Sequence, residues 1–107
     1  MSDAAELIRV ARRVADRLGV VGPRMAARSS ASAHAVLDDV RGVLQELADL
    51  GADAEGREHR PVPVLGAHAL GDQMLVLAHD IAGTADSAGP AVVERATALL
   101  RALSARI

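Results

Sequence analysis

Apolar residues recur along this chain at steps of three and four, the spacing that stacks side chains on one face of an α-helix. Leu7, Ala11, Val14, Leu18 and Val21 make the first stripe and predict a helix over residues 3–18. Asp3 and Glu6 have the separation of a capping box, with Ser2 as a rival cap, and Gly19 followed by Gly22-Pro23 offers a stop. Val36, Val40, Val43, Leu47 and Leu50 form the second stripe, widened by Leu37 and Leu44. They predict a helix over 33–50 that ends at Gly51. Extending it back to Pro23 places Met25, Ser29 and Ser32 on the seam. That continuous helix is the preferred reading, against a break at Ser29-Ser30 with a restart capped by Ser32.

Residues 52–63, ADAEGREHRPVP, lose the pattern and read as a solvated crossover ending in extended, polyproline-like backbone at Pro61-Val62-Pro63. A third helix is predicted over 65–82, with Gly83 as its stop. Leu70, Met74, Leu77 and Ile81 share one face, while His68, Asp72, Leu75 and His79 occupy the other, flanked by Leu65 and Val76. A fourth is predicted over 90–106, opened by Pro90 and carrying Val92 or Val93, Ala96, Leu99 or Leu100, Leu103 and Ile107. No stretch alternates apolar and polar residues as a half-buried strand would. The expectation is all-α: one domain over 1–107, a four-helix up-and-down bundle of two hairpins joined by the polar 52–63 connection.

Composition changes this picture in one respect. Half of the 107 residues are hydrophobic, yet none is Phe, Tyr or Trp, so the core must be built from Ala, Val, Leu, Ile and Met. A lone domain of that kind has a thin margin over its ordering entropy, and burying a further apolar face against a partner would widen it. The two-faced third helix supplies such a face. Leu65, Leu75 and Val76 are the expected interface residues, and the expected partner is another copy of the chain or another protein.

Two other constellations compete for that role. His68, Asp72 and His79 stand at steps of four and seven along one helix, and His34-Ala-Val-Leu-Asp38 echoes His68-Ala-Leu-Gly-Asp72. Imidazole and carboxylate at such spacing are metal-ligand types, so a metal or small-ligand site on His68, Asp72 and His79, joined by His34 and Asp38, is the alternative reading. Arg9, Arg12, Arg13, Arg17, Arg24 and Arg28 form a basic stretch relieved only by Asp16. Read functionally, it is a face for an acidic partner or nucleic acid; read structurally, it is a solvated helix face. A net charge of −2 excludes a general pull toward nucleic acid, and no aromatic side chain is present to stack on bases. Nucleic acid is therefore not an expected partner.

No catalytic signature is legible. The glycines are scattered rather than gathered in a phosphate loop, and Ser29, Ser30 and Ser32 do not converge with His34 on one helical face. Without cysteine there is no disulfide, thiolate metal site or Cys nucleophile, and no cofactor is expected. The acidic MSDAAEL start does not resemble a signal peptide. The apolar run from Val62 carries Asp72, Asp80 and two His, too polar for a membrane span. A cytoplasmic setting is expected. All twelve basic residues are Arg, a bias that points to a GC-rich bacterial coding sequence.

Overall fold

Side chains from every stripe meet in one contiguous core that includes Leu7, Leu18, Val40, Leu47, Met74 and Leu100, each at most 1% exposed. The computed structural model describes residues 3–28 and 30–107, and they form α1 (Asp3–Ala27), α2 (Ala31–Ala54), α3 (Leu70–Ala82), a single turn α4 (Ala85–Ala88) and α5 (Pro90–Ser104). A 3-10 turn at Ala67–Ala69 leads into α3, and there is no strand among the described residues. The protein is all-α, and α1, α2, α3 and α5 make a four-helix bundle. Where the sequence leaves two phases open in the last helix, Val93 and Leu100 point inward and Val92 and Leu99 are half-buried.

Side-chain contacts fix the directions of the helices. Glu6 pairs with Arg101 and Arg17 donates to the Ile107 carbonyl, so α1 and α5 run the same way. Gly71 meets Ala15 and Gly22 meets Ala67, so α3 runs against α1. Gln45 and Gln73 anchor neighbouring points of one connection, while Gly51 faces Ile81, so α2 and α3 run together. The bundle departs here from strict alternation. Instead of a tight hairpin into α3, the polar connection doubles back along α2 and returns the chain to the end where α2 began, as in bundles with a long crossover. The α1 helix packs on α3 and α5, α2 packs on the same two, and α1 and α2 oppose each other across the diagonal.

Three helix boundaries differ from those the pattern predicts. The first helix continues through Gly19, Gly22 and Pro23 to Ala27. Gly22 is buried, and a Cβ on it would stand 3.2 Å from the Ala67 carbonyl oxygen, so this last stretch of α1 is the docking surface for the turn before α3. Packing there outweighs the local stop and the backbone hydrogen bond lost at Pro23. The second helix begins at Ala31 rather than Pro23. Its cap is Ser30, whose hydroxyl accepts the Ala33 N–H at 3.2 Å, in place of Ser32; Ser29 and the rival cap Ser2 lie outside the described residues. That helix also passes through Gly51, which is buried against Ile81, and stops at Gly56. Gly56 takes the left-handed conformation (φ 67°), with Arg57 N–H bonded to the Ala52 carbonyl and Gly56 N–H to that of Asp53. This is the Schellman arrangement, and it reverses the chain onto α2.

The third helix starts late. Leu65 belongs to the extended connection rather than to a helix, and the first intrahelical turn closes from Ala69 N–H to the Gly66 carbonyl at 2.9 Å. Close approach then governs α3: a Cβ on Gly71 would lie 2.8 Å from the Ala15 carbonyl oxygen, so only glycine lets α1 and α3 pack at this distance. No helix among the described residues is long and apolar enough to cross a membrane.

Two glycine substitutions should therefore move stability in opposite directions. Gly71→Ala, pressed against backbone that cannot swing aside, should cost about 1–3 kcal/mol. Gly42→Ala, at an exposed position inside α2 with open space around it, should add about 0.5–1 kcal/mol. Thermal unfolding followed by circular dichroism at 222 nm reads both. Equal shifts for the two variants would contradict the packing described for α1 and α3.

Candidate interaction surface

The connection between α2 and α3 is bound at defined points along α2 and α3. The Gln45 side-chain amide donates to the Arg60 carbonyl and to Asp49 Oδ1, both at 2.9 Å, and its oxygen accepts the Val62 N–H at 2.9 Å. Gln73 donates to the Pro63 carbonyl, also at 2.9 Å. Together these bonds satisfy backbone groups that the two prolines keep out of any helix. Residues 57–66 thus form a strap laid over the α2–α3 face, with its polar backbone turned to the glutamines.

His59 holds the polar end of the strap. One ring nitrogen lies 2.6 Å from Asp53 Oδ1 and the other 3.6 Å from Asp49 Oδ1, the two aspartates being one helical turn apart on α2. The hydrogen bond to Asp53 raises the imidazole pKa; partial desolvation opposes this, and the charges of Asp49 and Asp53 add to it. Sequence reading gave this histidine no part. Asp49 and Asp53 stand four apart in plain view, but their partner lies in the strap, and only the reversal at Gly56 brings it over them.

The apolar end of the strap forms one wall of an open groove of about 500 Å³. Pro61, Val62, Pro63 and Leu65 line it on the strap side, Ala69, Asp72, Gln73, Val76 and Leu77 on the α3 side, and Ala48 of α2 at the floor. Four large hydrophobic residues are exposed among those described: Val64 at 79%, Val76 at 60%, Val20 at 55% and Leu65 at 48%. Three of the four lie on the strap or its facing wall. Of the expected interface residues, Leu65 and Val76 are thus brought to one groove, although they belong to different elements. Leu75 is half-buried, packs against the core and does not line the groove. It lies one helical step from Val76, about 100° around the axis.

The expected metal set is not assembled. His68 sits in the 3-10 turn with its ring folded over Gly66, Asp72 lines the groove, and His79 is exposed near the other end of α3. His34 and Asp38 are exposed near the start of α2. No group of three or more His, Cys, Asp or Glu that could hold a metal ion occurs among the described residues.

The arginine stretch lies along α1 opposite its buried stripe. Arg9 is bound to Glu6, and Arg17 donates to the Ile107 carbonyl. Arg12 and Arg13 border a shallow depression with Ile8 and Asp16, and Arg24 and Arg28 are exposed at the far end of α1. This is the arrangement of a solvated helix face, two of whose cations serve intramolecular contacts.

No family model, no curated protein and no solved structure matches this chain.

Protonated His59 is stabilised by its carboxylates in the folded state, so its pKa there lies above the unfolded value of about 6.5. Its contribution to stability is complete below that value and is lost as pH rises through the folded pKa. The gap in melting temperature between the native protein and His59→Gln should therefore narrow as pH rises above the unfolded value and through the raised folded pKa. Asp53→Asn should lower the His59 pKa measured by proton NMR titration. A His59 resonance that titrates at the same pH with and without Asp53 would remove this ion pair from the account of the strap.

Proposed function

We propose that this chain is a cytoplasmic bacterial protein that works by protein–protein association, and that its partner is a second copy of itself. The supporting observation is the groove between strap and α3, which brings the exposed Leu65 and Val76 together with Pro61, Val62 and Pro63. A contiguous apolar surface of this kind is costly to leave in water and commonly marks an interaction site. The core argues the same way: with no aromatic side chain, the fold relies on many small contacts, and burying the groove would add to a narrow margin.

The size of the molecule constrains the interface. A dimer of ordinary stability buries about 800 Å² on each partner, roughly an eighth of the 6030 Å² that the chain exposes. The groove and its charged rim fall within one such footprint. The alternative of an acidic partner held by the arginine face has less support, because Arg9 and Arg17 already serve contacts within the molecule.

Size-exclusion chromatography with light-scattering and refractive-index detection tests the proposal; absorbance at 280 nm is not usable, since the chain has no Trp, Tyr or cysteine. The native protein should elute at twice the 11.0 kDa chain mass. Val76→Asp should bring it to the single-chain mass with helicity unchanged. Val20→Asp, on the solvent face of α1, should leave the dimer intact. A native protein that runs as one chain at high concentration, or a Val76→Asp variant that stays dimeric, overturns the reading.

A further inference from the structure

The groove carries opposite charges on opposite walls. Arg60 stands on the strap wall and Asp72 on the α3 wall. Neither side chain has a hydrogen bond or ion pair among the described residues, although the Arg60 backbone is fixed through its carbonyl to Gln45. The two are offset along the groove: Gln73, next to Asp72, binds the strap at Pro63, while Arg60 lies further along it, beside Leu77. A two-fold axis that crosses the groove obliquely, midway between the two charges, exchanges their places, so the strap of one copy lies over the α3 face of the other. Each cation is then set against an anion, and Val76 of each copy is set against the strap. A surface whose charges are complementary to themselves under a two-fold rotation is what an isologous dimer requires.

We propose that the chain forms an isologous dimer through this groove, in which Arg60 of one copy pairs with Asp72 of the other and the partner's strap covers Val76. The inference rests on the self-association reading and adds to it the symmetry, the register and a specific ion pair. The two charges set the orientation of the copies, while the apolar groove supplies most of the driving force.

Charge reversal in the full chain separates the possibilities. Arg60→Asp sets two aspartates against each other at both symmetric contacts, and Asp72→Arg sets two arginines. Each variant alone should dimerise at least about tenfold more weakly. Mixing the two restores opposite charges at both contacts, so the equimolar mixture should regain dimer, as should the chain carrying both substitutions. Sedimentation equilibrium with interference optics measures all four samples, and circular dichroism confirms that each variant remains helical. Two results overturn this geometry while leaving self-association standing: a native dimer that neither single reversal weakens, or weakened single variants whose mixture fails to recover. A monomeric native protein would overturn the underlying reading instead.

Discussion

The hydrogen bonds of Gln45 organise the part of this molecule that faces outward. One side chain inside a helix supplies two donors and an acceptor, and all three are used: one for Asp49, one for the Arg60 carbonyl and one for the Val62 N–H. Without that anchorage, residues 57–66 are an ordinary polar loop with two prolines. With it, they become a fixed wall, and the return of the chain along α2 follows. Since α2 and α3 then run in the same direction, the strap that joins them lies along their junction and forms the groove with α3.

The absence of aromatic side chains shapes the interior in a related way. Helices that carry only Ala, Val, Leu, Ile and Met have to approach closely to leave no voids. The close contacts occur where glycine permits them: Gly71 against the Ala15 carbonyl and Gly22 against that of Ala67. These positions are inside helices, where glycine is unfavourable as a matter of local propensity. Their cost is offset by dispersion contacts between turns of backbone, and the Gly22 contact carries α1 past Pro23.

Electrostatics contributes specificity more than stability. The surface pairs Arg95–Glu46 at 3.6 Å and Arg106–Asp39 at 3.8 Å are exposed and weak, although they agree with α5 running against α2. His59 differs because two carboxylates on one helical face converge on it, which ties the polar end of the strap to α2 in a pH-dependent way.

Much of the architecture was legible in the chain alone. The spacing of Leu7, Ala11, Val14 and Leu18, and of Leu70, Met74 and Ile81, determined that helices form and which faces they bury, because a helix with one apolar stripe has one way to shield it from water. The extended backbone at Pro61-Val62-Pro63 was equally readable, since proline removes the donor a helix needs. The continuation of α1 past Gly19 and of α2 past Gly51, the exclusion of Leu65 from α3, the choice of Ser30 as cap, the same-direction course of α2 and α3, and the meeting of Leu65 with Val76 were decided only by tertiary structure. So was the placing of His59 over Asp49 and Asp53. Local signals at a helix end amount to about 1 kcal/mol or less, and contacts between residues distant in sequence, such as Gly22 with Ala67 or Gln45 with Val62, are large enough to override them.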